Sequence, residues 1–269
     1  MQIKAKILWG LFFLNLGAML ASLLSGGHEP VSLALFLPVF LLFLHSIWTL
    51  SFFRGIAFIL LAFFMGFVSE FVGLKYGWFF GGDYAYSPGW TKIFYGVPLS
   101  VILYWGIFIY FGYCLTNSFL YWLNRDKPSK DRKNGFLLLP LIFLDGLIVT
   151  AIDLFMDPLQ VKMGGWAWLD GGSYFGVPLG NFIGWFVVVI ISTGVFRVYE
   201  YIKPKELSKE LKTVFIIPVL GYGAIYFAFL ISAINLKMMN LALVGSLAML
   251  PIVIVNLGFL RKSKIINKF

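Results

Sequence analysis

Acidic residues inside apolar sequence are the feature of this chain that could do chemistry. Asp145, Asp153 and Asp157 share one hydrophobic stretch, and no Lys or Arg occurs between Lys133 and Lys162 to neutralise them locally. An ionised carboxylate in hydrocarbon costs several kcal/mol, so an intramembrane acid without a basic partner indicates a functional site. A buried carboxylic acid can instead keep its proton and act as a general acid, because burial disfavours the charged form.

The spacing of these three aspartates indicates a shared surface. On a helix, Asp153 and Asp157 lie about 40° apart, and Asp145 lies about 80° from Asp153 and about 12 Å deeper. We therefore expect Asp153 and Asp157 near the outer membrane boundary and Asp145 near mid-membrane. For Asp145 the alternative is a purely structural acid, hydrogen-bonded to a Tyr, Asn or Trp of a neighbouring helix.

The pattern of an acid, an aromatic loop and a proline at a helix start occurs twice. Glu70 precedes the first aromatic loop, which ends in a Gly-Val-Pro-Leu motif at 96–99, and the same motif recurs at 176–179. Trp105 and Trp185 each lie seven residues past the proline of the motif. We interpret the pattern as an internal duplication; the alternative is a chance echo in a chain rich in Gly and aromatic residues.

Composition predicts a membrane protein. The chain has 269 residues, of which 60% are hydrophobic and 12% charged, whereas about a quarter of residues are charged in soluble proteins. Apolar runs long enough to cross a bilayer, about 20 residues each, lie at 7–25, 31–50, 54–73, 95–121, 136–156, 178–199, 213–233 and 240–260. We predict an all-α fold, a polytopic membrane helix bundle forming a single membrane domain over residues 1–269.

The duplication gives this bundle an internal organisation. Helices 3–4 and helices 5–6 would be repeated helical hairpins, over approximately 54–121 and 136–199, running in the same sense and related by an axis along the membrane normal. This arrangement brings the acids of both hairpins to one cavity in the outer half of the membrane. Helices 7 and 8 carry no acid, so we expect them to be scaffold.

The basic residues predict orientation rather than nucleic-acid binding. The net charge is +9, and with a cytoplasmic N-terminus 17 Lys and Arg residues fall on the inner side against 4 on the outer side. This bias predicts a multi-pass protein of the cell membrane with both termini in the cytoplasm. The first apolar run follows Lys4 and Lys6 without a clear cleavage site, so we expect an uncleaved helix rather than a signal peptide.

Cysteine and histidine give little support for other chemistry. Cys114 is the only cysteine, which excludes an internal disulfide. Two histidines and one cysteine, widely spaced, do not make a nitrogen or sulfur metal site, so no metal ligands are assigned, although a carboxylate-only magnesium site stays open. We expect His45, alone on an apolar helix, to be a packing residue.

Over residues 65–200 the chain resembles the integral-membrane carotenoid biosynthesis family, whose characterised members are carotenoid 1,2-hydratases, including the bisanhydrobacterioruberin hydratases. The resemblance rests on Glu70, Gly82-Asp83-Tyr84-Ala85-Tyr86, Gly96-Val97-Pro98, Asp153, Asp157-Pro158, Trp166-Ala167-Trp168, Tyr174, Gly176-Val177-Pro178, Asn181-Phe182 and Gly184-Trp185. The first loop departs from the family pattern, with Phe-Phe-Gly-Gly at 79–82 in place of a Pro-Phe-Gly-like run.

The resemblance implies addition of water across the terminal double bond of an acyclic carotenoid, with a hydrophobic polyene or isoprenoid as substrate. In that reaction an acid protonates the alkene, water captures the tertiary cation, and a carboxylate accepts the released proton. We expect Asp153 (protonated) and Glu70 to form the acid–base pair, supported by Asp157 and Asp83, with Asp145 as the next carboxyl to test. No cofactor is required.

Aromatic side chains would line the path of the cation, since cation–π attraction contributes about 2 kcal/mol or more when desolvated. The predicted substrate-binding residues are Tyr84, Tyr86, Trp166, Trp168, Tyr174, Asn181, Trp185 and Trp105.

Two other functions stay open. Asp153-x-x-x-Asp157 also resembles the second acidic motif of membrane prenyltransferases, which hold a diphosphate through magnesium; the absence of a second Asp-rich motif and of basic residues nearby weakens this alternative. The other is a carrier of polyenes or lipids without catalysis, which would leave the mass of its ligand unchanged. The sequence leaves the oligomeric state open.

Overall fold

The computed structural model describes residues 3–24, 31–123, 135–204 and 214–262. Within these ranges the chain forms eight α-helices and a two-stranded antiparallel sheet, which confirms the predicted all-α bundle. The helices are α1 (Ile3–Leu24), α2 (Val31–Thr49), α3 (Phe52–Tyr76), α4 (Leu99–Leu123), α5 (Gly135–Met163), α6 (Leu179–Ile202), α7 (Ile216–Asn235) and α8 (Met239–Lys262). The strands are β1 (Tyr84–Tyr86) and β2 (Trp166–Trp168).

Membrane insertion explains the surface of this bundle. In the described part of the chain, seven helices are long and apolar enough to cross a membrane, and α2 contributes a shorter apolar stretch, Phe36–Thr49. Their outward faces carry large apolar side chains such as Phe53 and Phe136, which are 83% and 85% exposed. Such faces would be unfavourable in water but suit lipid, so the chain is a multi-pass membrane protein.

Helix α5 is longer than predicted because a side chain from the following loop bonds to the backbone carbonyl that Pro158 leaves without a donor. The expected end was residue 156, but the helix continues through Pro158 to Met163. Proline lacks the N–H that would bond to the carbonyl four residues earlier, here that of Leu154. The Tyr174 hydroxyl donates to the Leu154 carbonyl at 3.0 Å instead. The helix therefore continues past Asp157, and this residue lies within α5 rather than at its end.

Helix α4 lies at the centre of the bundle and contacts α2, α3, α5, α6, α7 and α8. Where α4 meets α6, Trp105 stacks on Trp185 with 3.9 Å between ring centroids. These two residues occupy matching positions in the predicted repeats. Contact between them is expected if a two-fold axis passes between the two hairpins.

Both aromatic loops end in the same kind of turn before the next helix. In residues 94–97 and residues 174–177, the last residue donates its N–H to the carbonyl of the first, at 3.3 Å and 2.9 Å. The two central residues have positive φ, 54° and 81° in the first turn and 51° and 87° in the second, as in type I′ turns. The matching turns are consistent with the duplication, which stays a prediction.

The two loops are joined by the small sheet. Strand β1 pairs antiparallel with β2, and Ala85 lies opposite Ala167 at the centre of the register. Each strand reads aromatic-Ala-aromatic, and side chains alternate between the faces of a strand. Both alanines are exposed, so the four aromatic side chains face the helices and cover the end of the bundle.

Candidate functional site

A cavity of about 250 Å³, here called the acid cavity, lies beneath the two joined loops. Predicted site residues from both hairpins line it: Glu70, Tyr84, Tyr86, Trp105, Asp157, Trp166, Trp168, Asn181 and Trp185. Among the described residues that line it, none is Lys, Arg or His. This part of the chain therefore presents carboxyl groups within aromatic walls and offers no positive side chain to a bound anion.

Glu70 is held by neutral hydrogen-bond donors only. Its Oε2 accepts from the hydroxyls of Tyr84 at 2.8 Å and Tyr86 at 2.6 Å, and its Oε1 accepts from Trp105 Nε1 at 2.9 Å. The residue is 3% exposed, so these three bonds replace its hydration. Bonds to a charged group contribute about 1.5–3 kcal/mol each, which allows the carboxylate to stay buried without an ion pair.

The two tyrosines remain donors over the whole physiological range. Burial, together with the neighbouring Glu70 carboxylate, holds the pKa of Tyr84 and the pKa of Tyr86 well above the ordinary value. Strand alternation places both hydroxyls on one face of β1, toward Glu70. The loop therefore supplies two fixed donors to a carboxylate that α3 carries.

The second acidic group is a pair of aspartates bridged by one amide. Asn181 Nδ2 donates to Asp153 Oδ2 at 2.8 Å and to Asp157 Oδ2 at 2.7 Å. These two oxygens are therefore no more than about 5.5 Å apart, the sum of the two distances. Oδ1 of each aspartate is buried without a hydrogen-bond partner among the described residues. Because the one amide group donates only to the two Oδ2 atoms, the two Oδ1 atoms remain free to bind a proton.

The aspartates differ in their access to the cavity. Asp157 lines the acid cavity, whereas Asp153 is fully buried behind it and does not. Asn181 connects them from the first turn of α6, which follows the second Gly-Val-Pro-Leu motif. Tyr174 donates its hydroxyl hydrogen to the carbonyl of Leu154, which lies in the single helical turn between the two aspartates.

Close backbone contact fixes the first loop on the start of α6. A Cβ on Gly180 would lie 2.7 Å from Gly81 Cα, and one on Gly81 would lie 2.9 Å from Pro178 Cβ. Gly81 also has φ of 80°, which favours glycine. Trp168 Nε1 then donates to the Phe80 carbonyl at 3.0 Å and links the second loop to the same place. Gly81 of the first aromatic loop is thus required for this close contact.

Besides Asp153, three predicted site residues do not line the acid cavity. Tyr174 caps the Leu154 carbonyl, and burial raises its pKa to about 12, so it retains the proton that it donates. Asp83 is exposed, and its backbone carbonyl accepts from the Leu169 N–H at 2.8 Å. Their functional roles stay predictions, but the structure gives each a contact that joins loops or helices.

The third of these residues, Asp145, forms an ion pair. Its carboxylate accepts from Arg197 Nε at 2.6 Å and Nη2 at 2.7 Å, and the side chains are 0% and 4% exposed. Arg197 Nη1 also donates to Asn117 Oδ1 at 3.0 Å. The structural alternative for Asp145 had a Tyr, Asn or Trp as its neighbour; the neighbour is instead Arg197, which is buried inside the bundle.

The sequence analysis missed some lining residues, of which one has a signal in its spacing. Ile225 and Phe229 on α7 line the acid cavity, so α7 is not only scaffold. Trp90 and Gln160 also line it. Gln160 lies three residues after Asp157 on the same helix face, and this spacing could have identified it.

The histidine and the cysteine within the helices are accounted for by packing. His45 Nε2 lies 3.1 Å from the Val214 carbonyl and its Nδ1 lies 2.7 Å from the Tyr110 hydroxyl, as expected of a packing histidine. Cys114 is buried. Within the described ranges, no three His, Cys, Asp or Glu side chains are grouped so that they could hold a metal ion.

Comparison with known proteins gives one match. A family model described as "Carotenoid biosynthesis protein" matches residues 30–252, a span that includes both loops, both turns and every predicted site residue. The comparisons with curated proteins and with solved structures gave no match.

Proposed function

The chain belongs to the carotenoid biosynthesis protein family, and we propose that it is a hydratase that adds water to the terminal double bond of an acyclic carotenoid. The family supports a role in carotenoid biosynthesis. The observation that carries the finer proposal is the acid cavity itself: two separate carboxyl groups, Asp157 and Glu70, share one aromatic cavity without any basic side chain.

In the proposed reaction Asp157 is the proton donor. Two neighbouring buried carboxylates cannot both ionise without strong repulsion, so one proton on the Asp153–Asp157 pair is the stable arrangement. The sequence favoured Asp153 as the acid; we assign delivery to Asp157 because Asp157 lines the cavity. Asp153, which does not line the cavity, then shares this proton with Asp157.

Transfer of this proton to the less substituted alkene carbon forms a C–H bond and leaves a tertiary cation. The stacked Trp105 and Trp185 rings and the aromatic face of β1 and β2 surround the reacting end, where π faces stabilise positive charge. Glu70, ionised and held by three donors, adds attraction from a fixed position.

Water then attacks the cation, and Glu70 accepts the proton that the new C–O bond releases. The product is a tertiary alcohol, so the substrate gains one water and no electrons are transferred. The proton on Glu70 returns to the aspartate pair before the next turnover. The cycle uses only carboxyl groups of the chain.

The absence of Lys and Arg from the cavity lining favours this reaction over a prenyl transfer, because a diphosphate would meet carboxylates without a positive partner. A carrier would need the aromatic walls but has no use for Glu70 and Asp157, whose burial costs free energy. The following experiment distinguishes both alternatives from hydration.

The test is expression in a lycopene-producing host with mass analysis of the pigments. Wild type should add one water per hydrated end group, and Asp157→Asn or Glu70→Gln should each lower hydration by at least about 10² at equal protein in the membrane. Asp170→Asn, on the exposed part of the second loop, is the matched control and should keep activity. Pigment that is bound but unchanged in mass would indicate a carrier, and a magnesium-dependent product a transferase.

We also propose that the loop end of the bundle faces outward and that both termini face the cytoplasm. The basic asymmetry that supports this includes the segment 124–134, which lies outside the described residues. In a Cys114→Ala background, Lys130→Cys should react with an impermeant thiol reagent only after the membrane is opened, and Asp170→Cys should react from outside. The reverse pattern would contradict the orientation.

A further inference from the structure

A second cavity adjoins the first, and on α4 and α7 its lining residues lie farther from the loops. This apolar cavity has a volume of about 290 Å³ and lies between α1, α2, α4 and α7. Met19, Tyr104 and Ile225 line both cavities, so the two spaces meet at these three side chains. Each volume is near the lower limit of about 300–1,000 Å³ for small-ligand sites, whereas the two together fall within it.

Three polar side chains that line the apolar cavity, His45, Tyr110 and Asn15, already have hydrogen-bond partners within the protein. Because a carbonyl only accepts, His45 Nε2 carries the hydrogen and donates to Val214, and Nδ1 accepts from the Tyr110 hydroxyl. The Val214 carbonyl is available because Pro218, four residues later, has no N–H. Asn15 Nδ2 donates to the Leu11 carbonyl at 2.8 Å. What remains for a ligand is apolar surface without charge.

The two cavities together are elongated along the helices. On α7 their lining runs from Ile217 to Phe229, about 18 Å at 1.5 Å per residue. On α4 it runs from Val101 to Phe111, about 15 Å. The carboxyl groups line only the loop end of this space.

We propose that the two cavities form one channel, in which the apolar cavity holds the segment of an acyclic isoprenoid chain that follows its terminal double bond, while the double bond itself lies among the carboxyls. The proposal rests on the proposed function. It assigns the substrate class as linear and apolar over the length of chain that the two cavities enclose. It also assigns Met19, Tyr104 and Ile225 as the neck through which the chain passes between the two cavities.

The test fills the apolar cavity and compares a long substrate with a short one. Ala224→Phe narrows the cavity from α7 and Leu16→Trp narrows it from α1, since both residues line only this cavity. Ile231→Phe, at an exposed position of α7, is the matched control. Lycopene is the long substrate, and geranylacetone, which ends in a similar trisubstituted alkene, is the short one.

Each blocking variant should hydrate lycopene at least tenfold more slowly than wild type and should hydrate geranylacetone at the wild-type rate. The control should resemble wild type with both. Activity on geranylacetone shows that the variant is folded and that its carboxyl site is intact. Full lycopene hydration by both blocking variants would overturn the channel, as would equal loss of both substrates in both variants.

A direct binding measurement separates this proposal from the proposed function. Purified wild type should bind lycopene, detected by quenching of tryptophan fluorescence, and Ala224→Phe should weaken that binding at least tenfold. If wild type binds lycopene in this way but hydrates neither substrate, the hydratase proposal fails while the channel stands. If wild type hydrates lycopene and Ala224→Phe binds it equally well, the channel fails while the hydratase proposal stands.

Discussion

Two groups of buried acidic side chains in the described part of the protein are satisfied in opposite ways. Asp145 receives a two-point ion pair from Arg197, whereas Glu70, Asp153 and Asp157 receive hydrogen bonds only from neutral donors. Arg197 gives Asp145 a permanently charged partner. Neutral donors impose no fixed charge on the acids of the second region, so we expect that region to exchange a proton with a substrate.

The position of the two regions agrees with this difference. The ion pair joins α5 to α6 among well-packed helices, and the Cβ of a residue at Gly112 would lie 2.9 Å from the Asp145 carbonyl oxygen. The other acids border a cavity large enough for a ligand. Burial of an acid in a membrane protein therefore indicates function only where its partners leave the proton free to move.

The largest effect should come from breaking the ion pair. Asp145→Asn leaves the Arg197 guanidinium buried without its anion, which costs about 3–5 kcal/mol, and little protein should accumulate in the membrane. Asp145→Leu combined with Arg197→Met should recover much of this loss, because an apolar pair of similar volume is often neutral or stabilising. Thermal unfolding of the detergent-purified variants measures both changes. If the Asp145→Asn protein unfolded at the wild-type temperature, the ion pair would not stabilise the fold, and the proposed difference between the two regions would be wrong.

The aspartate pair should show the reverse behaviour. Asp157→Asn should lower hydration by about 10² or more without lowering the unfolding temperature, because an amide needs less desolvation than an acid. Asp153→Asn should lower hydration only about tenfold, or about 1.4 kcal/mol, since Asp153 lies behind the cavity. Measured kcat/KM values for the two variants check this order. A larger loss at Asp153 would return the donor role to that residue.

A smaller effect on stability should follow from uncapping α5. Tyr174→Phe leaves the Leu154 carbonyl without a donor, at a cost of about 1–2 kcal/mol for a buried acceptor. Pro158→Ala restores the missing N–H, so Tyr174→Phe should cost much less in that background. Thermal unfolding of the four proteins gives the coupling, and Tyr95→Phe, whose side chain is exposed, is the control. Equal costs in both backgrounds would show that Tyr174 does not replace the N–H.

The sequence predicted the helices and most of the acid cavity because both depend on local patterns. Runs of apolar residues located all eight helices, and the repeated Gly-Val-Pro-Leu motif located the loops that bring Glu70 and Asp157 together. The sequence did not predict contacts between side chains that are far apart along the chain. Arg197 reaches Asp145 across 52 residues, and Tyr174 extends α5 from the following loop; neither pairing has a local signal.

The smallest effect should come from removing one donor to Glu70. Tyr86→Phe deletes the 2.6 Å bond, but Oε2 still accepts from Tyr84 and Oε1 from Trp105. We expect a loss of hydration of about five- to tenfold, which is less than the 1.5–3 kcal/mol of a hydrogen bond to a charged group, because Glu70 stays in position with two donors. Tyr76→Phe, exposed at the end of α3, should have no effect. If Tyr86→Phe reduced hydration as severely as Glu70→Gln, the tyrosine rather than the carboxylate would be the group that acts on the substrate.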